Sequence, residues 1–120
     1  MKREQKKILV VDDDPDIVEV VQILLEGEGY LTQTVTEEKS LDRLLSFQPD
    51  LILLDVLLSG SDGRGISKRL KSQKVTKHIP IVLMSAHVQS RAILAECQAD
   101  DLITKPFDLD TFLTTIQKYV

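Results

Sequence analysis

Apolar residues in this chain fall into short uninterrupted runs separated by longer segments with helical spacing. The β-rich runs lie at Ile8–Val11, roughly Tyr30–Val35, Leu51–Leu54, Ile81–Met84 and Leu102–Ile103. Between the first two, Ile17, Val20, Val21, Leu24 and Leu25 repeat at i, i+3, i+4, i+7 and i+8, the stripe of a helix that buries one face. Asp14 is placed to cap that helix and Pro15 to occupy its first position, while Gly27 and Gly29 close it. Leu41, Leu44 and Leu45 form a second stripe, opened by Thr36 with Glu37 and Glu38 in the first turn. Leu109, Phe112, Leu113, Ile116 and Val120 form the last, behind an Asp108 cap. Asp62–Ser72 and Val88–Cys97 read as weaker helices, because Gly63 and Gly65 lower the propensity of the first and the period of the second is blurred. Strands alternating with helices predict a parallel sheet covered on both faces, which explains strands that are apolar without alternation. Five such units make an α/β, doubly wound (βα)5 fold with strand order 2-1-3-4-5.

Length and composition narrow the class. The chain's 120 residues suit one domain spanning 1–120, and a split would leave two marginal halves. The apolar runs are strand-sized, too short to cross a bilayer. The charged start leads into only four apolar residues before three aspartates, which does not suit a secretory signal, so a cytoplasmic location is expected. The lone Cys97 has no disulfide partner within the chain and reads as a small packed hydrophobe. A net charge of −4 with no tryptophan argues against direct nucleic-acid binding. The basic run Lys68–Lys77 reads as a solvated helix end and loop.

The informative feature is where polar residues fall. The first strand ends in Asp12, Asp13 and Asp14, the third in Asp55, the fourth in Ser85 and the fifth in Lys105. Ligands of open α/β sheets bind beyond the carboxyl ends of the strands, so four strands deliver acids, a hydroxyl and an ammonium to one place. Carboxylates crowded together repel unless a cation neutralises them, and hard oxygens at a wet edge suit Mg²⁺. In such a pocket a carboxylate can attack phosphorus while metal, lysine and hydroxyl hold the other oxygens. Asp55 is the best nucleophile candidate, standing alone at the sheet centre. Helix capping accounts for Asp14 and for Asp16 in the first turn, but not for Asp12 and Asp13. His78 reads as solvated and His87 as a neighbour of the pocket. Neither has metal-ligand spacing with another His or Cys.

These motifs resemble the response-regulator receiver family of two-component signalling, the CheY-like superfamily, from Lys7 to Val120. The matching segments are Ile8–Pro15 with its acidic triplet, Pro49–Asp55, Gly60–Gly63, Ile79–Ala86 and Thr104–Phe107. The resemblance implies a flavodoxin-like fold and a phosphoacceptor switch at Asp55, supplied by a partner sensor histidine kinase or phosphotransfer protein. It implies Mg²⁺ held by Asp13, Asp55 and the backbone carbonyl of Leu57, with Asp12 acting largely through water. Ser85 and Lys105 would bind the phosphoryl oxygens, and the Lys105–Pro106 bond would be cis. A module of this kind catalyses only its own phosphorylation and dephosphorylation, so it is not an enzyme acting on a separate substrate. Its output would pass to an unnamed effector or through a phosphorylation-linked homodimer.

Some positions depart from the family pattern. Ser59 and Ser61 stand around Gly60 where a proline and an apolar residue are usual, and Gln98 replaces a common glycine. Leu102 stands where the family usually places an aromatic switch residue. None removes a catalytic group. Two other readings compete: an aspartate-nucleophile phosphohydrolase of the haloacid-dehalogenase type, and a pseudo-receiver that binds partners without phosphorylation. The first wants Asp-x-Asp after the first strand and room for a cap. The second is disfavoured because acid, hydroxyl and lysine are all present.

Overall fold

The computed structural model describes residues 5–58, 61–86 and 91–120, with the backbone alone at Leu44 and Ser61. Five parallel strands, β1 (Lys7–Val11), β2 (Leu31–Val35), β3 (Leu51–Asp55), β6 (Ile81–Ser85) and β7 (Asp101–Thr104), form one sheet in the order β2-β1-β3-β6-β7. This is the expected 2-1-3-4-5 arrangement. The numbering jumps because a hairpin of two-residue strands, β4 (Leu57–Leu58) and β5 (Ser61–Asp62), intervenes. That hairpin has no sequence signal, since strands this short carry no period.

Side chains alternate across the sheet and define two cores. Leu9, Val11, Ile52, Leu54, Ile81 and Leu83 face α2 (Leu41–Leu44), α3 (Gly63–Ser72) and α4 (Ala92–Cys97). Ile8, Val10, Leu51, Leu53, Val82 and Met84 face α1 (Pro15–Gly27) and α5 (Leu109–Gln117). Strands buried on both faces read as continuous apolar runs, and β3 and β6 are buried at every position.

Helix boundaries follow local chemistry. Asp14 caps α1 by accepting the Asp16 N–H, with Pro15 at its first turn, and Gly29 adopts φ 90° just beyond the end. Asp108 caps α5, and its side chain accepts the N–H of Thr111. Asp62 caps α3, whose ten residues bury Ile66 and Leu70, so the glycines did not prevent a full helix.

Other expectations need correction. The second helix is not opened by Thr36: it is one α turn, α2, flanked by 3-10 turns at Glu38–Ser40 and Leu45–Phe47. Its N-terminal turn has no side-chain cap, and three leucines cover little more than one turn of apolar face. Val20 and Leu109, counted in their stripes, lie half-exposed on the margins of α1 and α5. Of the expected helix Val88–Cys97, residues 88–90 lie outside the described residues, Arg91 caps the helix from a turn, and Ala92–Cys97 is helical; His87, Ser59 and Gly60 also lie outside the described residues.

The basic run is not simply solvated. The Lys71 ammonium donates to the Ile79 carbonyl at 2.9 Å and pairs with Asp100 at 2.8 Å, tying α3 to the sheet beneath it. Arg69 pairs with Asp42 at 3.2 Å and Glu38 at 3.7 Å, bridging α3 to α2. Cys97 is buried, its thiol donating to the Ile93 carbonyl.

The departure at Gln98 has a physical explanation. Gln98 terminates α4 with φ 63° and ψ 21°, in the left-handed region that favours glycine. A non-glycine residue there is disfavoured by roughly 1–2 kcal/mol, partly offset by glycine's greater freedom in the unfolded chain. Gln98→Gly should therefore stabilise the protein by roughly 0.5–1 kcal/mol, raising Tm by a few degrees. Thermal unfolding followed by circular dichroism measures this, and a lower Tm in the variant would contradict it.

Candidate phosphoacceptor and metal site

Parallel pairing of β1 with β3 brings two acids together. The last register pair is Val11 with Leu54, so Asp12 and Asp55 each stand one residue farther along. Alternation puts both on the α1/α5 side, following Val10 and Leu53. Asp12 is fully buried and Asp55 nearly so. Asp13, half-buried, completes a set in which one carboxylate oxygen from each of Asp12, Asp13 and Asp55 lies within 4.8 Å of the others. Asp14 caps α1 and stands outside this set, as its capping role predicts.

Lys105 enters from the end of β7. Its ammonium lies 2.8 Å from Asp12 Oδ2 and 3.4 Å from Asp55 Oδ2, bridging the two acids. Its backbone N–H donates to the Ser85 carbonyl at 2.6 Å, and the Lys105–Pro106 bond is cis as expected. Ser85 is buried at the end of β6, beside β3. Asp12 forms a direct ion pair with Lys105 and accepts the Asp14 N–H at 3.0 Å. The β4 segment turns back over the nucleophile candidate, and the Leu57 N–H donates to Asp55 Oδ1 at 3.3 Å.

The electrostatics of Asp55 follow from this crowding. Burial and then the negative charge of Asp12 push its pKa up from 3.8 to about 6, against the opposing pull of Lys105 and the Leu57 N–H. Burial works against the Lys105 ammonium, but hydrogen bonding and charge from Asp12, and then Asp55, hold its pKa above the usual lysine value. Lys105 thus bridges two of the three clustered carboxylates, Asp12 and Asp55. The donor set is all hard oxygen at the carboxyl edge of a sheet, which fits a small divalent cation and not a thiolate or imidazole site.

A second acidic group, on β7, is built in the opposite way. Burial would raise the pKa of Asp101, but it accepts from the Leu102 N–H, Arg91, Tyr119 and Lys118, and these hold it below the usual range. The Tyr119 hydroxyl is pushed up to about 12 by burial and by its bond to Asp101. Leu102 itself is partly buried and packs against the α3/α4 core.

Comparison with known proteins agrees with this geometry. Residues 8–117 match the family described as response regulator receiver domain. The chain is 37% identical over 114 residues to the DNA-binding dual master transcriptional regulator RpaA of Synechocystis, covering 92% of this chain and 47% of that protein. It is 41% identical over 105 residues to the alkaline phosphatase synthesis transcriptional regulatory protein PhoP of Bacillus subtilis, covering 85% of this chain and 43% of that one. The chain thus spans about half the length of these relatives. Among solved structures, a putative response regulator from Chloroflexus aurantiacus superposes with TM-score 0.89 at 29% identity, covering 97% of this chain and 98% of that one. The chemotaxis protein CheY4 of Vibrio cholerae also reaches 0.89, at 25% identity, covering 98% of this chain and all of its own. With a parallel sheet of this order, an acidic edge bridged by a lysine, and a match running nearly end to end, the chain belongs to the response regulator receiver domain family.

Proposed function

We propose that Asp55 accepts a phosphoryl group from the phosphohistidine of a partner kinase or phosphotransfer protein. The observation that carries this is the placement of the Asp55 carboxylate at the end of the central strand, 3.4 Å from the Lys105 ammonium and beside Asp12 and Asp13. In the transfer, an Asp55 oxygen forms a bond to phosphorus as the phosphorus–nitrogen bond breaks, and the departing imidazole takes its proton from solvent. Asp55 must be ionised to attack, a state that a bound cation would favour over the metal-free site, where burial and Asp12 oppose it. Lys105 offsets charge gathering on the phosphoryl oxygens, and the Ser85 hydroxyl donates to another of them.

Mg²⁺ is the proposed cofactor, held by Asp13, Asp55 and the Leu57 carbonyl, with Asp12 reaching it largely through water. When bound, it supplies positive charge to the acids and to the equatorial phosphoryl oxygens. The chain acts only on its own aspartate in this reading and is not an enzyme for a separate substrate. Its setting is the cytoplasm, where its phosphodonors reside; no helix among the described residues is long and apolar enough to cross a membrane.

Output is proposed to run through the segment from Val88 to Val120, by docking of an effector or by phosphorylation-linked homodimerisation. Ser85 and Lys105 adjoin this segment and would sense the phosphoryl oxygens, and packed elements convert small shifts into discrete ones. RpaA is DNA-binding by name; in this reading any such activity lies outside the receiver fold. Sedimentation with and without a beryllofluoride-type phosphoryl mimic should show a larger species with the mimic. Unchanged sedimentation would leave heterologous partners as the output.

The central test is Asp55→Asn, incubated with Mg²⁺ and acetyl phosphate and followed by intact mass. The parent should gain one labile phosphoryl group and the variant none; full modification of the variant would refute the assignment. The same substitution carries a stability signature. Because the folded-state pKa of Asp55 is raised, its favourable contribution is present at low pH and is lost as pH rises through about 6. At pH 7 in EDTA, Asp55→Asn should therefore be more stable than the parent by up to about 3 kcal/mol, and so unfold at a higher temperature, with the gap closing toward pH 4. A variant less stable than the parent at pH 7 would contradict the crowding.

A further inference from the structure

We propose that Gly63 is a positioning residue for Asp55, an inference that rests on the reading of Asp55 as phosphoacceptor. Gly63 opens α3, where glycine is a poor choice for helix formation. Its backbone takes an ordinary negative φ, so conformational freedom does not explain it. Space does. A methyl group on Gly63 would collide with the backbone carbonyl oxygen of Asp55, and would lie 2.9 Å from that carbonyl carbon and 3.0 Å from Val56 Cα. These are backbone atoms of the central strand, which cannot swing aside as a side chain could. Gly65, two residues on in the same helix, has nothing within 4 Å of the same position.

Hydrogen bonds on both sides of Val56 accompany the close approach. The Gly63 N–H donates to the Val56 carbonyl at 2.8 Å, while the Val56 N–H donates across to Met84 on β6 at 2.9 Å. The first residue of α3 thus rests directly on the Asp55–Val56 peptide and fixes the backbone from which the Asp55 side chain projects. Any larger residue at 63 must lift α3 or push the Asp55 carbonyl, and either motion shifts the carboxylate relative to Lys105, Asp12 and Asp13. In-line transfer tolerates little of this: a misplacement of about 1 Å can lower a rate on the order of 100-fold.

The experiment compares the whole chain with Gly63→Ala, Gly65→Ala and Leu70→Ala. Leu70, buried in the same helix and remote from the acids, serves as a destabilised control. Each protein is tested at a temperature where circular dichroism shows it folded. Two quantities are read: the Mg²⁺ dissociation constant from an NMR titration, and the rate of Asp55 modification by acetyl phosphate. Gly63→Ala should weaken Mg²⁺ binding several-fold and slow modification roughly 10- to 100-fold. Gly65→Ala and Leu70→Ala should keep the parent's values. A parent that binds Mg²⁺ but takes no phosphoryl group would defeat the phosphoacceptor reading alone, since the Mg²⁺ comparison still judges Gly63. Parental Mg²⁺ affinity and rate in folded Gly63→Ala would overturn the proposal. If that variant does not fold, it is repeated with Gln98→Gly added as a stabiliser. Failure to fold even then would make Gly63 a requirement of the fold and would equally overturn a positioning role.

Discussion

Two buried carboxylates set side by side by strand register are the constraint on which the rest of this molecule depends. Once β1 and β3 pair so that Val11 meets Leu54, Asp12 and Asp55 must end adjacent, with Asp13 close by. Among the described residues a single ammonium, Lys105, bridges Asp12 and Asp55, and the carboxyl edge of the sheet is organised around that pair. β7 delivers the lysine, β6 delivers Ser85, the β4 turn lays the Leu57 N–H against Asp55, and α3 rests on the peptide beneath it. Such an arrangement opposes folding locally and is tolerated because the two cores around the sheet are extensive.

The contrast with Asp101 shows that the imbalance is local. Both acids are buried at strand positions of the same sheet. Asp101 is surrounded by four donors and is held ionised, a structural tie between α4, β7 and α5. Among the described residues, Asp55 meets one cation shared with a neighbour and one weak backbone donor, and its pKa rises instead. A satisfied acid is fastened in place; an undersatisfied one remains available, as the proposed metal binding and attack on phosphorus require. Asp100 belongs with the first kind, pinned by Lys71 and by the Ile81 N–H.

Much of this was legible in the sequence, and the reasons differ by element. The doubly buried strands and α1 were readable because burial writes itself as uninterrupted apolar runs and as a capped stripe. The site acids, Ser85 and Lys105 were readable because each stands where a strand's apolar run stops. Less legible were features set by contact in three dimensions. The direct pairing of Asp12 with Lys105 spans 93 positions and has no local signature. Lys71 and Arg69 looked solvated because their acidic partners, Asp100, Glu38 and Asp42, lie on other elements. Gly63 was read as a weakness of its helix, whereas its value lies in what a side chain would strike. Gln98 was noticed as a departure, and only the backbone angle showed its meaning.

Asp55 sits crowded among like charges, and in the proposed function a divalent cation relieves it. The most direct measurement is the titration of the Asp55 side-chain carboxyl by carbon-13 NMR, in EDTA and in excess Mg²⁺. The midpoint should lie near 6 in EDTA and fall well below that when Mg²⁺ is added, because a bound cation favours the ionised form. A midpoint near the ordinary 3.8 that does not respond to Mg²⁺ would contradict it.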